Sequence, residues 1–346
     1  MSDIYITNES GLRTMINRWL QRREVIGPRK TPAGDVLFEP LESGTDCEFE
    51  FELQSAPPKE WLLPQVEQLF RYDAGASVAV CESPEPAEQV LFAVRPCDAC
   101  GIAVLDEVMD ADPADFYYRR RRRNTTCVVL ACPRVFDGHF CHLLDTGPSL
   151  ESGFDWQLTR LEDRFALQIG SQDGAQLAAS VSDLMAPASD ADCQALLESH
   201  RLARATGGEF ADLHKAAERL KGRDLQSATW IDLASRCQSC GGCSFLCPSC
   251  ACFNIVDVRT SGAGGHRARQ WDSCAYSGFT CMAGGQNPGA DKTARVHRRL
   301  YHKLACATCS RNAPACVGCG RCVEVCVGNA KLRNVLAGIT SEESKP

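Results

Sequence analysis

The spacing of apolar residues predicts an amphipathic helix near the start of the chain. Over residues 8–22, apolar side chains recur every three or four positions, which places them on one face of a helix. This stripe consists of Leu12, Met15, Ile16, Trp19 and Leu20. Asn8 or Ser10 is suited to cap the first turn, since short polar side chains accept hydrogen bonds from free amide groups there.

Short apolar runs between turn residues predict strands further along. The predicted strands are 36–38, 47–53, 77–81, 89–94 and 126–130. Helices are expected around 66–70, after a proline-rich turn at 57–65, and over 101–108. Alternating apolar residues over 154–170 predict a hairpin. Strands interleaved with helices indicate an α+β fold class, with an α/β-type N-terminal domain over residues 1–172.

The rest of the chain divides into two segments. Residues 173–226 read as a helical connector because alanine, leucine and charged residues recur at helical spacing. Residues 227–346 hold the cysteine runs described below and are expected to form a mostly helical, ferredoxin-like domain. Within it, residues 248–315 (68 positions) form a long insertion, which we expect to supply a function or a contact surface of its own. Its glycines at 262, 264, 265, 284 and 285 favour irregular backbone.

Composition points to a reducing compartment. The chain has 346 residues, enough for two cores, and 22 cysteines. The N-terminal sequence does not have the charged and apolar regions of a signal peptide, so a cytoplasmic location is expected, with thiolates bound to metal. No apolar run is long enough for a membrane helix. The net charge of −7 argues against nucleic-acid partners.

Two cysteine runs, 237–247 and 316–326, carry the strongest chemical signal. Both follow the C-x2-C-x2-C-x3-C spacing of bacterial ferredoxins, in which three close cysteines bind one 4Fe-4S cube. In two-cluster ferredoxins the fourth cysteine of each run binds the other cube. The predicted ligand sets are Cys237, Cys240, Cys243 and Cys326 for one cube, and Cys316, Cys319, Cys322 and Cys247 for the second. Zinc sites separate their cysteine pairs by a dozen or more residues, which disfavours that alternative.

A third cluster is a candidate in the N-terminal domain. Its expected ligands are Cys97, Cys132 and Cys141, with His139 or Cys100 as the fourth. Histidine can replace cysteine on iron, where it raises the potential. The alternative is that these cysteines are small hydrophobic core residues.

The other cysteines favour less specific roles. Those in apolar or helical surroundings are expected to be core residues: Cys47, Cys81, Cys127 and Cys193. Another group is expected either to pack around the clusters or to bind zinc or a further cube: Cys250, Cys252, Cys274, Cys281, Cys306 and Cys309. The five arginines 119–123 suit either an acidic partner or a solvated surface. Neither a phosphate-binding glycine motif nor a nucleophile–base pair is recognisable, so neither a nucleotide site nor a catalytic residue is predicted.

Several separated motifs together resemble one family of iron–sulfur subunits. They are P-P-K-E-W-L-L-P-Q-V-E-Q-L-F (57–70), R-P-C-D (95–98), F-C-H-L-L-D-T-G-P (140–148), C-P-S-C-A-C-F-N-I-V-D (247–257), W-D-S-C (271–274), A-G-G-Q-N-P (283–288), H-R-R-L-Y-H-K (297–303) and C-V-G-C-G-R-C (316–322). The family comprises the beta subunits of cytoplasmic NAD(P)-linked [NiFe] hydrogenases (sulfhydrogenases) and the corresponding iron–sulfur subunit of anaerobic sulfite reductase. The resemblance runs from about residue 35 to residue 336.

The resemblance implies a non-catalytic electron-transfer subunit. It would relay electrons between a flavin subunit that handles NAD(P)H and the catalytic subunits of a [NiFe] hydrogenase, or alternatively of a sulfite reductase. An iron–sulfur redox sensor is the alternative from another class; the absence of a basic recognition helix disfavours it. The chain departs from the family pattern at Val327, where ferredoxin runs carry proline, and at His139, where the family has cysteine.

Overall fold

The computed structural model describes residues 3–74, 78–82, 84–210, 212–222, 225–260, 264–306, 313–329 and 336. The strands are β1 Ile4–Asn8, β2 Glu24–Lys30, β3 Val36–Pro40, β4 Val66–Ala74, β5 Val78–Glu82, β6 Gln89–Val94, β7 Thr125–Leu130, β8 Trp156–Leu161, β9 Arg164–Ile169, β10 Ala186–Pro187, β11 Phe253–Arg259 and β12 Gly265–Trp271. The helices are α1 Glu9–Trp19, α2 Pro96–Met109, α3 Phe116–Arg123, α4 Gln172–Ala179, α5 Asp190–Ala205, α6 Leu213–Lys221, α7 Ala228–Arg236, α8 Gly242–Phe245, α9 Lys292–Leu300 and α10 Arg321–Glu324. A π-helical turn, Tyr301–Ala305, extends α9.

The larger sheet has eight strands in the order β10-β1-β9-β8-β7-β6-β2-β3. Its centre is parallel: β2, β6, β7 and β8 pair parallel to one another, and the outer strands pair antiparallel. Every residue of β6 and β7 is buried because apolar clusters cover both faces of the sheet. Asn8 Oδ1 caps α1 by accepting a hydrogen bond from Gly11 N–H at 2.8 Å. The predicted α1, the hairpin β8–β9, and the strands β3, β5, β6 and β7 are confirmed.

Two sequence predictions in this region are wrong. The predicted helix at 66–70 is the strand β4, which is paired with β5 and β12. Its partner β12 lies about two hundred residues away, so the local pattern carries no sign of the pairing. The predicted strand at 47–53 has buried residues at alternate positions, Cys47 and Phe49 among them, but it makes only an isolated bridge between Cys47 and Arg29. Residues 47–53 therefore form no β-ladder, because an extended segment needs a hydrogen-bonded partner strand to become part of a sheet.

A hairpin from the long insertion completes a second, four-stranded sheet in the order β11-β12-β4-β5. The insertion contains two strands and a helix, but the glycine prediction holds in part: Gly284 and Gly285 lie in a turn between β12 and α9, and Gly264 precedes β12. Gly265 is the first residue of β12, and Gly262 lies outside the described residues. A buried ion-pair network holds the hairpin to the N-terminal part. Arg269 donates to Glu67 and to Asp115, each at 2.5 Å, and Arg121 donates to Glu67 at 2.7 Å. The insertion therefore supplies a contact surface.

The arginine run, residues 119–123, lies on α3 and forms ion pairs with acidic residues of the same chain. Four of its side chains form ion pairs, Arg119 with Asp110, Arg120 with Glu85, Arg121 with Glu67, and Arg122 with Asp106. Much of the charge of the run is therefore matched within the fold, which disfavours a free docking patch, while Arg119 and Arg123 are exposed to solvent.

Segment 173–226 is helical in α4, α5 and α6, and its short strand β10 pairs with β1. The mixture of helices and sheets confirms the α+β class. In the described part of the chain, every helix is too short or too polar to cross a bilayer.

Candidate iron–sulfur site

The two cysteine runs fold into the same backbone conformation. In each run the residue two positions after the first cysteine has a positive φ, 52° at Ser239 and 62° at Gly318. The residue after the second cysteine has one as well, 79° at Gly241 and 73° at Gly320. Each of these two glycines precedes a one-turn helix, α8 or α10, that carries the third cysteine. Left-handed positions turn the chain sharply, which allows closely spaced cysteines to face one space.

Backbone amide groups point at the first sulfur of each run. Ser239 N–H donates to Cys237 Sγ at 3.4 Å, and Gly318 N–H donates to Cys316 Sγ at 3.5 Å. Such N–H groups stabilise the negative charge of a thiolate, and hydrogen bonds to sulfur are one means by which a protein sets a cluster potential. The two runs therefore share a shape and a way of offsetting thiolate charge.

The runs meet around a cavity of about 120 Å³. Helices α8 and α10 pack together there, and a Cβ at Gly242 would lie 3.1 Å from Val325 Cγ2. Seven of the eight predicted ligands line the cavity: Cys237, Cys243, Cys247, Cys316, Cys319, Cys322 and Cys326. The eighth, Cys240, is exposed. The fold thus brings the cysteines of both runs to one space.

The donor set fits iron–sulfur clusters. Burial raises the pKa of Cys322 to about 12, and it also raises the pKa values of Cys243 and Cys316. Iron binds the thiolate and displaces its proton, so buried thiols of this kind become anions only with metal bound. Among the described residues, no three His, Cys, Asp or Glu side chains could hold a single metal ion. This agrees with a cube, because each thiolate binds a different iron and the sulfurs do not meet at one ion.

Two predicted ligands of the N-terminal cluster follow adjacent parallel strands. β6 and β7 are parallel neighbours; Cys97 lies in the first turn of α2 after β6, and Cys132 lies two residues after β7. The carboxyl ends of parallel strands lie at one edge of a sheet, and this is where open α/β sheets bind ligands. The sheet topology therefore brings Cys97 and Cys132 together.

The loop with His139 and Cys141 reaches the same place and is held against the second run. Phe140 N–H donates to Gly318 O at 2.9 Å. A Cβ at Gly318 would lie 2.5 Å from Cys141 N, so glycine is needed for this close approach. The N-terminal cysteines consequently lie next to the second ferredoxin run, and Cys97, Cys141 and Cys319 belong to one buried cluster.

A cavity of about 10 Å³ lies among these N-terminal side chains. Its lining includes all four predicted ligands: Cys97, Cys132, His139 and Cys141. Burial, helped by the Arg321 guanidinium, lowers the pKa of His139 to about 4, so its imidazole is neutral at pH 7 and keeps a lone pair for metal. Burial raises the pKa of Cys141 to about 12. Cys100, the other candidate, packs against this group but does not line the cavity.

Comparison with known proteins agrees with this geometry. Residues 236–330 match a family model described as a 4Fe-4S dicluster domain. Over 313 residues the chain is 29% identical to the sulfhydrogenase 2 subunit beta of Pyrococcus furiosus, covering 86% of this chain and 91% of that protein. This chain is a homologue of a sulfhydrogenase beta subunit. The family resemblance drawn from the motifs is thereby confirmed, and the two matches support electron transfer by 4Fe-4S clusters.

The remaining cysteines of this homologue occupy varied surroundings. Cys47 and Cys127 are buried core residues, as predicted, and Cys193 is half-buried on α5. Cys309 lies outside the described residues, and so does the side chain of Cys81. Two cysteines of the insertion are not in the core: Cys281 is exposed and Cys306 is half-buried.

Sequence reasoning missed several charged residues around the cysteines. The buried Arg321, between Cys319 and Cys322, pairs with the buried Asp98, next to Cys97. Lys59 and Lys303 are buried beside the first run, although each lies in a motif that carried the family resemblance. A charged residue inside an otherwise apolar or cysteine-rich motif was the available signal, but nothing local indicated its partner.

Proposed function

We propose that this chain is the electron-transfer subunit of a [NiFe] hydrogenase complex, relaying electrons between a flavin subunit that handles NAD(P)H and the catalytic subunits. The observation that carries the proposal is the pair of cysteine runs with matching backbone around one cavity. The name of the Pyrococcus furiosus relative supports a hydrogenase over a sulfite reductase as the complex.

The ligand assignments follow the crossed arrangement of two-cluster ferredoxins. One cube is assigned to Cys237, Cys240, Cys243 and Cys326, and the second to Cys316, Cys319, Cys322 and Cys247. The shared cavity permits crossing because Cys247 and Cys326 both line it together with cysteines of the opposite run.

A third cube is assigned to Cys97, Cys132, Cys141 and His139. The support is the common cavity of these four side chains and its position beside Cys319 of the second run. A line of sites then runs from the N-terminal sheet edge, through the second run, to the first run.

The residues of this chain would bind the iron–sulfur clusters, bury them and offset their negative charge. Bound clusters supply one-electron redox chemistry. Arg95, which is 1% exposed, lies beside Cys132 and stabilises negative charge there, as Arg321 does beside Cys97 and Cys319. Positive charge near a cluster favours the reduced form, which carries one more electron. The exposed Cys240 makes the first run the most accessible point for exchange with a partner.

The test is reduction by nicotinamide with and without partners. The tagged chain is purified anaerobically from its native host, and co-purifying proteins are identified by mass spectrometry. We expect a flavoprotein and a pair of hydrogenase subunits, and NAD(P)H should reduce the clusters in the complex but not in the isolated chain, as read by electron paramagnetic resonance. Recovery with sulfite reductase subunits, or direct reduction of the isolated chain by NAD(P)H, would contradict the proposal.

A further inference from the structure

The π-helical turn that extends α9 contains a buried lysine, Lys303, which lines the cavity between the two cysteine runs. The turn is closed by the Cys306 N–H, which donates to the Tyr301 carbonyl oxygen at 2.7 Å. Single π-helical turns at helices are frequent at functional sites. Lys303 is 7% exposed, and a buried ammonium group is costly unless it is hydrogen-bonded and faces negative charge. Its partners therefore indicate its role.

The side chain of Lys303 is bonded to the segment that follows the first run. Its Nζ donates to the Ser249 carbonyl and hydroxyl oxygens at 3.1 and 2.8 Å. The same hydroxyl group donates to the Ala315 carbonyl oxygen at 2.6 Å and lies 3.4 Å from Cys247 Sγ. Ser249 thus links the lysine to the last cysteine of the first run and to the residue before the second run.

The backbone of Lys303 is bonded to the second run. Cys316 N–H donates to the Lys303 carbonyl oxygen at 3.0 Å. One residue therefore holds the segment after Cys247 with its side chain and the first cysteine of the second run with its backbone. Cys247 and Cys316 belong to opposite runs, and the crossed arrangement assigns both to one cube. Lys303 therefore joins two segments that must meet if that cube is to form.

The charge of Lys303 faces ligands of the same cube. Burial acts to lower the pKa of Lys303, but negative charge on nearby cysteines, of which Cys247 has the largest effect, raises this pKa above its usual value. Cys316 is among those cysteines. The ammonium group therefore stays protonated at pH 7 when the cysteines are thiolates, and it places a positive charge beside them.

The neighbouring cation Arg299 is bonded to other groups. Its Nη1 donates to Cys250 Sγ at 2.8 Å, and its Nη2 donates to the Cys243 carbonyl oxygen. Cys250 belongs to a group of thiols outside the ferredoxin runs, since the Cys252 thiol contacts both Cys250 and Cys274. The hydrogen bonds of the arginine thus lead to the first run and to these thiols, whereas the lysine is bonded to the second run.

We propose that Lys303 positions the second cube: its contacts hold Cys247 beside Cys316, and its charge raises the reduction potential of the cube. Positive charge beside a cluster stabilises the reduced form, which carries one more electron. The inference rests on the proposed function, because the crossed ligand set is part of that function. The second cube lies in the middle of the proposed line of sites, so its potential decides how readily electrons pass along the line.

The experiment measures the potential of each cube in the full chain, produced anaerobically with its clusters. Electron paramagnetic resonance follows a redox titration, and Cys240→Ala and Cys319→Ala identify the signals of the first and second cubes. Lys303→Met should lower the potential of the second cube, because the side chain loses its charge. At a fixed potential near the midpoint, the ratio of reduced to oxidised second cube should fall about tenfold, which for one electron is about 59 mV. The potential of the first cube should stay as in wild type.

Two further variants separate the charge from simple packing. Lys303→Arg keeps the positive charge and should restore most of the potential that is lost in Lys303→Met. Lys30→Met removes an exposed lysine of β2 that does not line the cavity, and it should leave both potentials as in wild type. A lysine that only filled space would change the urea midpoint of unfolding when replaced, but it would not shift the potential of one cube alone.

Ser249→Ala tests the link to Cys247, and it decides the matter if Lys303→Met does not retain the second cube. The variant removes the hydroxyl group and keeps the ammonium charge, so the same potential should fall by less than in Lys303→Met.

An unchanged potential of the second cube in Lys303→Met and Ser249→Ala would overturn the inference. An equal shift of both cubes would do the same, and so would a potential in Lys303→Arg no higher than in Lys303→Met. If the ferredoxin signals are missing already in wild type, the proposed function has failed; if they are present and only the potential of the second cube does not move, this inference alone has failed.

Discussion

Arg321 and Asp98 form a two-point ion pair in the interior of the protein. Arg321 Nη1 and Nη2 donate to the two carboxylate oxygens of Asp98 at 2.5 and 2.8 Å, and the two residues are 2% and 0% exposed. Asp98 follows Cys97 on α2, and Arg321 lies between Cys319 and Cys322 on α10. The pair therefore fixes the N-terminal cysteine site against the second ferredoxin run, although Asp98 and Arg321 are more than two hundred residues apart in sequence.

Removing the guanidinium should destabilise the fold strongly. In Arg321→Met the Asp98 carboxylate is left buried without its partner, which costs about 3–5 kcal/mol of unfolding free energy. Anaerobic urea unfolding measures this as a lower midpoint. Arg201→Met is the matched control, since its ion pair with Glu198 is exposed and should contribute little. Equal midpoints for both variants would show that the buried pair does not hold the two parts together.

The crossed ligand assignment predicts which cluster each fourth cysteine supports. Cys247→Ala should damage the cluster of Cys316, Cys319 and Cys322, although Cys247 belongs to the other run. Electron paramagnetic resonance of the reduced protein separates the two signals, and Cys326→Ala should show the reverse loss. Selective loss of the signal of the run that contains the mutated cysteine would refute crossing.

One titrating group away from the clusters gives a pH test. Burial lowers the pKa of His200, whose Nε2 lies 2.9 Å from Thr159 Oγ1. Because the folded pKa lies below the unfolded value of about 6.5, the unfolded chain takes up the proton first, so stability is full above that pH and falls as the pH drops. His200→Gln should remove part of the difference in urea midpoint between pH 7.5 and pH 5. The exposed His214→Gln should leave that difference as in wild type.

Local sequence was sufficient where the signal is itself local. The spacing of Cys237–Cys247 and Cys316–Cys326 predicted the cluster runs, and buried apolar runs predicted β6 and β7. The strand β4 was mistaken for a helix because its partner β12 lies in the insertion. The proximity of Cys252 to Cys274 likewise depends on the β11–β12 register, which the sequence does not display. The sequence alone therefore did not indicate which distant strands pair or in which register.

The ligands predicted for the N-terminal cluster come from three separate segments that the fold brings to one cavity. Cys141→Ala should lose the cluster, with a fall of about four irons per chain, whereas Cys100→Ala should lose none. His139→Cys should keep the iron and lower the cluster potential, since thiolate donates more charge to iron than imidazole does.

A redox titration followed by electron paramagnetic resonance measures that potential. Alkylation after anaerobic unfolding supplies an independent reading, because a ligating thiolate is protected from the reagent and a free thiol is not. If Cys141→Ala retains all its iron and Cys97 reacts as readily as the core residue Cys127, the N-terminal cysteines are packing residues. The sheet edge would then contribute only the buried Arg95 and the Asp98 carboxylate, which binds Arg321, to the environment of the second run.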